Sequence, residues 1–410
     1  MSTPQELMHA QFAQVFKIAA LAWGDPAVAA ARASASPQQT YVDMTTECPV
    51  KQLGDGMFRL TSMADIVAVT RNHDVVQGTT YLGSDRPAIP LGLDGPLHKQ
   101  YRHMLDPVFT AKRIEPLGAQ VRQLANELID GFIAKGECDA FQDWCEPLPS
   151  IIFLSIMGLP LDQYENFHGF KNLILGNANV AAMTPEERLA RSTEAVVWIQ
   201  SYFNSNLDER EQEAAPRDDM IGWLLSAEFD GRRLSRTEML DILGLLMIAG
   251  LDTVAASLGC FLSFLASHPD QRQRLLDDPT LTRSAIEELM RYESPVTEGT
   301  RVAKADIDLP SGVRVPAGSW MLISWSGANV DPAAFVDPLT VDFERKPNPH
   351  IGFASGFHRC LGSHLARLEL SVALNVWHER IPHYRIAEGT ELVYSGNPRA
   401  PHHLPLVWSA

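Results

Sequence analysis

What this chain lacks narrows the choices first. Its longest apolar run lies near Ile242 to Leu251, well short of the about 20 residues a membrane span needs. Its start, MSTPQELMHAQF, has neither the basic residues nor the apolar stretch of a signal peptide. A soluble cytoplasmic protein is therefore expected. Positive charge is scarce: 34 Lys and Arg stand against 50 Asp and Glu, for a formal net charge of −16. That disfavours a general binder of nucleic acid or of an anionic membrane. Cysteine is scarce as well. Cys48, Cys138, Cys145, Cys260 and Cys360 are odd in number, scattered and without a CxxC pair, which argues against a disulfide framework or a structural zinc site. No repeat, low-complexity tract or Ser/Gly-rich linker divides the chain, so residues 1–410 are expected to form a single domain.

What is present is mostly helical patterning. Residues 1 to about 90 mix short β-branched runs with turns, and MFRLTSMADIVAVTRN (57–72) reads as a strand followed by a short helix. From about 97 to 290, apolar residues recur at three- and four-residue spacing, as in VRQLANELIDGFIAKG (121–136) and MTPEERLARSTEAVVWIQSYF (183–203). The longest helix candidate runs from Ser235 to His268, with a capping box, Ser235-Arg-Thr-Glu238, at its start and Pro269 at its end. Its middle, residues 242–262, is apolar nearly all round and so is expected to be buried. SAIEELMRYESP (284–295) reads as a further helix, VRVPAGSWMLISWS (313–326) as strands, and the tail after Pro382 as short strands and turns. The fold class is mainly α with minor β.

The strongest chemical signal is HIGFASGFHRCLGSHLARLEL, residues 350–370. A glycine-containing loop presents Cys360, and a helical pattern follows at once. A helix N-terminus offers free N–H groups and a positive dipole end, both of which stabilise a thiolate. Gly356 and Gly362 allow close approach of a flat group or a backbone. A plain buried cysteine is the alternative; zinc at His358 and Cys360 is weaker, for want of a second ligand pair. Ala249-Gly250-Leu251-Asp252-Thr253 interrupts the apolar helix with a carboxylate that must be paired or protonated. Thr253 could instead bond back to the Ala249 carbonyl and merely bend the helix. Glu288 and Arg291 share one helical face, either as a surface ion pair or as a buried one.

These segments together resemble the cytochrome P450 family. Phe353, Gly356, His358, Cys360 and Gly362 are similar to its haem-binding loop, although Ala354 stands where Gly or Ser is typical and Phe357 at a position that rarely holds Phe. Ala249 to Thr253 resembles the oxygen-binding groove, Glu288-Leu-Met-Arg291 the E-x-x-R pair, and Asp94-Gly-Pro-Leu-His98-x-x-x-Arg102 the haem-contact helix. Asn329 to Pro332 and Phe335 to Arg345 resemble the segment leading to the cysteine.

The resemblance implies a triangular helical body with small β-sheets and haem between the long central helix and the cysteine-loop helix. It implies haem b with Cys360 as metal ligand, and O2 as co-substrate. Contacts to haem are expected from His98, Arg102, Arg301, His358, Ala249, Gly250, Phe353 and Gly362. Asp252 and Thr253 would be catalytic, moving protons beside the iron, with Gly250 leaving room for O2. Glu288 and Arg291 would be structural. The substrate pocket would draw on Leu245, Ala249, Val296 and Thr297, with the segments Tyr81–Leu93 and Phe167–Met183, and would take a hydrophobic small molecule. Since no nucleotide fingerprint or iron–sulfur cysteine cluster is present, electrons are expected from a separate ferredoxin and ferredoxin reductase. These would dock on a basic patch at Arg359, Lys112 and Arg113, with Lys99, Arg345 and Lys346 nearby. The protein is expected to be a monomer. A peroxide-driven haem-thiolate enzyme and a non-catalytic haem sensor are the other readings.

Overall fold

The computed structural model describes residues 25–54, 56–72, 76–77, 87–175 and 183–409. The main helices are α1 (Gly95–Leu105), α2 (Leu117–Asp130), α3 (Pro147–Met157), α4 (Tyr164–Leu175), α5 (Pro185–Glu211), α6 (Arg236–Gly250), α7 (Thr253–Ser267), α8 (Thr282–Glu293) and α9 (Ser363–Arg380). The largest sheet holds β1 (Val50–Gly54), β2 (Met57–Leu60), β3 (Val76–Gln77), β4 (Glu298–Ala303) and β5 (Trp320–Ser324), in the order β1-β2-β5-β4-β3. Only the β2–β5 pair is parallel within it. The body is helical, and the strand and helix expected over residues 57–72 are both formed.

α7 is the centre of the molecule. Every residue from Val254 to Ala266 is buried, as an apolar surface on all sides requires. It packs against α3, α8 and α9 and forms a core with Trp144, Phe261, Leu370 and Trp377. A second core joins α3, α4, α5 and α6 through residues such as Phe167, Phe203, Ile242 and Met247. The stretch Arg236–Ser267 is long and apolar enough to cross a membrane by composition, but most of it is buried within the protein. The Ser235–Glu238 capping box is present in both directions.

One expected element differs. The single helix from Ser235 to His268 is broken at Leu251–Asp252 into α6 and α7. Asp252 has φ −128° and ψ −29°. The Thr253 hydroxyl donates to the Ala249 carbonyl at 3.0 Å, and the Leu251 carbonyl accepts from the Ser150 hydroxyl of α3 at 3.1 Å. Hydroxyls thus satisfy backbone groups at the break, the bending role open to Thr253 from its sequence context.

Candidate active site

The loop before α9 is shaped by its backbone. Gly356 has φ +70°, and a Cβ there would lie 2.0 Å from the Thr70 carbonyl oxygen, so only glycine fits against the helix Met63–Thr70. Ala354 also has positive φ, +58°, a conformation that costs a residue with a Cβ about 1–2 kcal/mol. The strain is borne where the resemblance leads one to expect Gly or Ser. The Cys360 N–H donates to the Phe353 carbonyl at 2.9 Å. The side chain of Cys360 lies deep in the protein, yet its surface is open because it faces a cavity. Burial pushes its thiol pKa up, while the Gly362 N–H and the charges of Arg102, Arg367 and Arg359 pull it back. The Gly362 N–H is a free donor of the kind the sequence led one to expect ahead of α9.

Opposite this loop the cavity is walled by the α6–α7 break. Leu245, Ala249, Gly250, Thr253 and Ser257 line it. The space expected beside Gly250 is partly filled: a Cβ there would sit 2.3 Å from the Phe153 ring, so the glycine lets α3 pack against the break. Asp252 does not line the cavity. It is 3% exposed, and its carboxylate accepts from Lys171 Nζ of α4 at 3.0 Å. Lys171, itself 1% exposed, also donates to Glu146 at 2.6 Å. Glu146 lies 2.7 Å from His168 Nε2. Burial alone would raise the Glu146 pKa, but His168 and Lys171 hold it at about 2. Lys171 escaped the sequence analysis; a lone lysine in the apolar stretch FHGFKNLIL was its only signal.

The cationic groups expected near haem gather at one edge. His98, Arg102 and His358 all line the cavity, and the two imidazole centroids are 4.3 Å apart. His358 Nε2 is 3.1 Å from Asp94 at the start of α1. Arg102 donates to the Arg359 carbonyl at 2.7 Å and to Asp106 at 2.8 Å. Arg301 on β4 is buried behind this edge rather than on the cavity wall. Burial pushes its pKa down and the nearby Asp94 charge pushes it back up. Among the described residues no carboxylate forms an ion pair with it.

The remaining wall is apolar. Val296 and Leu245 line the cavity as expected, joined by Ile89, Pro90 and Trp325. Thr297 does not: it is buried, and its N–H donates to the Asn397 side chain at 3.0 Å. Phe167 is likewise in the core between α4 and α5 rather than in the pocket. Of the two segments expected here, residues 81–86 and 176–182 lie outside those described. Glu288 and Arg291 are both fully buried and joined at 2.8 Å, so the surface-pair reading fails. Arg345, expected in a surface basic patch, belongs instead to this pair, donating to Glu288 at 3.0 Å.

Glu369 of α9 was also missed. It lines the cavity at 3% exposure, and its Oε1 has no hydrogen-bond partner among the described residues. Burial raises its pKa from 4.5 to about 8. The folded protein therefore holds a proton that the unfolded chain releases between those values. Stability from this term is full below about pH 4.5 and is lost as pH rises through about 8, by up to about 1.4 kcal/mol per pH unit. Glu369→Gln is expected to flatten this slope in urea unfolding between pH 5 and 8. An unchanged slope would show that the carboxyl is ionised in the folded protein.

The donor set fits one kind of prosthetic group. The Cys360 residue borders a largely apolar cavity, cations gather at one edge of it, and Arg301, buried behind that edge, has no ion-pair partner among the described residues. An apolar disc with two carboxylates and an iron that accepts thiolate ligation matches all three features. The fold and site thus fit a haem-thiolate protein. The family model for cytochrome P450 matches residues 68–377. Mycinamicin IV hydroxylase/epoxidase of Micromonospora griseorubida is 33% identical over 369 residues, 87% of this chain and 90% of that protein. The steroid C26-monooxygenase of Mycobacterium tuberculosis is 30% identical over 356 residues, 86% of this chain and 88% of that protein. The crystal structure of CYP109E1 from Bacillus megaterium in complex with testosterone superposes with a TM-score of 0.84 at 25% identity, covering 91% of this chain and 98% of that one. The chain belongs to the cytochrome P450 family and is a monooxygenase of that family.

Proposed function

We propose that this protein, a single-domain cytoplasmic monomer, inserts one oxygen atom from O2 into an apolar small molecule at haem b held by Cys360. The observation that carries this reading is Cys360 facing an apolar cavity across from the α6–α7 break. Haem ligated by a thiolate supplies O2 activation, with electron density from sulfur favouring O–O cleavage. The chain's own residues do the rest. His98, Arg102, His358 and Arg301 offset the two propionates, whose burial without cations would cost several kcal/mol. Phe353, Gly362, Ala249 and Gly250 bound the flat face. Leu245, Val296, Ile89 and Trp325 hold an apolar substrate and exclude water.

The Thr253 hydroxyl bonds the backbone at the break, on a residue that lines the cavity. It can deliver a proton only by turning from the Ala249 carbonyl. Asp252 can resupply it only by leaving Lys171, so Lys171 regulates that step. Electrons come from a ferredoxin and its reductase. Lys99, Lys112, Arg113, Lys346 and Arg359 are exposed, and an acidic partner would find them on this otherwise acidic protein. Arg113 already shares Asp218 at 2.8 Å, so Arg359 and Lys112 contribute more to docking.

The test is spectral and chemical. The reduced CO adduct is expected to show the red-shifted Soret band of thiolate ligation. Cys360→Ser should abolish it, while serine at Cys48, Cys138, Cys145 or Cys260 should leave it intact. The similarity to a steroid monooxygenase and a mycinamicin hydroxylase makes steroids and mycinamicins the first compounds to screen for a spin-state shift and oxygenated product. A normal CO band in Cys360→Ser would overturn the reading.

A further inference from the structure

Arg367 stands seven residues after Cys360, on the second turn of α9, and its partners come from three separate elements. Its Nε and Nη2 donate to the two carboxylate oxygens of Glu287 on α8, at 2.5 and 2.7 Å. Nη1 donates to the Ser363 carbonyl at 3.3 Å. The guanidinium carbon lies 4.2 Å from the centroid of the Phe353 ring, at a distance where a cation is attracted to the ring face. That ring borders the cavity, and the carbonyl of the same residue accepts the Cys360 N–H at 2.9 Å.

Glu287 is gripped from a second side. His350 Nε2 lies 2.9 Å from its carboxylate, and His350 Nδ1 accepts the Gly352 N–H at 3.2 Å. The ring proton therefore sits on Nε2 and is donated to Glu287. Glu287 stays ionised: burial would raise its pKa, but Arg367 and His350 hold it at about 2. The side chains of Arg367 and Glu287 are one-quarter exposed, and that of His350 is 5% exposed. A forked guanidinium–carboxylate pair in such a setting has a fixed geometry. The E-x-x-R pair does not use these groups: Glu288, the neighbour of Glu287, points into a different network with Arg291 and Arg345.

We propose that Arg367, clamped by Glu287 over the Phe353 ring, is a positioning residue that sets the reduction potential of the haem at Cys360. The inference rests on haem binding at that cysteine. Reduction of a bound ferric centre adds one negative charge to the site, and a fixed cation nearby favours the reduced form. The Arg367 cation is fixed against Phe353, whose ring borders the cavity and whose carbonyl accepts the Cys360 N–H. Glu287 opposes its effect while holding the cation in place. The two residues therefore have opposite electrostatic signs at the metal, which a purely mechanical clamp would not have.

Spectroelectrochemical titration of purified holoprotein separates these roles. Arg367→Met is expected to shift the ferric/ferrous equilibrium about three-fold or more toward ferric, roughly 30 mV for one electron. Glu287→Gln, which keeps the shape and one acceptor oxygen but removes the charge, is expected to shift it toward ferrous. Arg367→Lys keeps the charge and should lie closer to the wild-type value than Arg367→Met. The CO band should persist in all three, since Cys360 is untouched. Its loss from the wild-type protein would overturn haem-thiolate binding itself. Shifts of the same sign in Arg367→Met and Glu287→Gln, or unmoved potentials with haem fully bound, would overturn the role of Arg367. Should Arg367→Met fail to retain haem, the sign of the shift in Glu287→Gln alone decides.

Discussion

Glu288→Ala is expected to yield protein that retains little haem and has lost roughly 3–5 kcal/mol of stability, the usual effect of stranding a buried charge. Its carboxylate accepts from Arg291 at 2.8 and 2.9 Å, from Arg345 at 3.0 Å, from the Asp342 N–H at 3.0 Å and from Asn348 at 3.2 Å. Arg291 extends the network to the carbonyls of Asn329, Pro338 and Thr340. Asn329 in turn accepts the Ile351 N–H at 2.8 Å. The pair thus ties α8 to the whole segment leading to the cysteine loop. Arg291→Ala should be milder, because Glu288 keeps Arg345, whereas removing Glu288 strands two guanidinium groups at once. Haem content per polypeptide and urea unfolding check the order. Stable, fully loaded Glu288→Ala protein would mean that the loop is held by other contacts.

Lys171→Met is expected to destabilise the protein by a similar amount, about 3–5 kcal/mol, through a different mechanism. The lysine is the shared cation of two buried carboxylates, Glu146 and Asp252, so its loss leaves Glu146 with His168 at 2.7 Å and strands Asp252, which has no other ion-pair partner among the described residues. The double variant Lys171→Met with Asp252→Asn should recover a large part of the loss, a coupling that a double-mutant cycle reads directly. If the single variant unfolds within 1 kcal/mol of wild type, Asp252 is compensated by some other group and Lys171 does not control it.

Features coded by short spacing were legible in the sequence. The Ser235–Glu238 cap, the Glu288–Arg291 pair and the Cys360 loop all use residues a few positions apart, so their local geometry follows from backbone periodicity. The pocket was legible in part: Leu245, Ala249 and Val296 face it, while Thr297, next to Val296 in the chain, turns to Asn397. Arg345 read as surface charge because arginine is mostly exposed; only the position of Glu288, 57 residues earlier, brings it inside. Glu369 gave no warning, because a glutamate near the start of an amphipathic helix ordinarily faces water.

The sequence by itself determined the family, the cysteine proposed as metal ligand, the helical class and many of the groups that surround the site. The tertiary structure alone decided where those groups point. Asp252 and Thr253 are adjacent in the chain, yet Thr253 opens on the cavity while Asp252 turns to Lys171, 81 residues away. Asp252 leaves helical geometry at the break while Thr253 begins α7, and a buried carboxylate must meet a cation or lose its charge. Which side of the helix meets that cation depends on how α4 packs against the break, and no local pattern in the sequence records that.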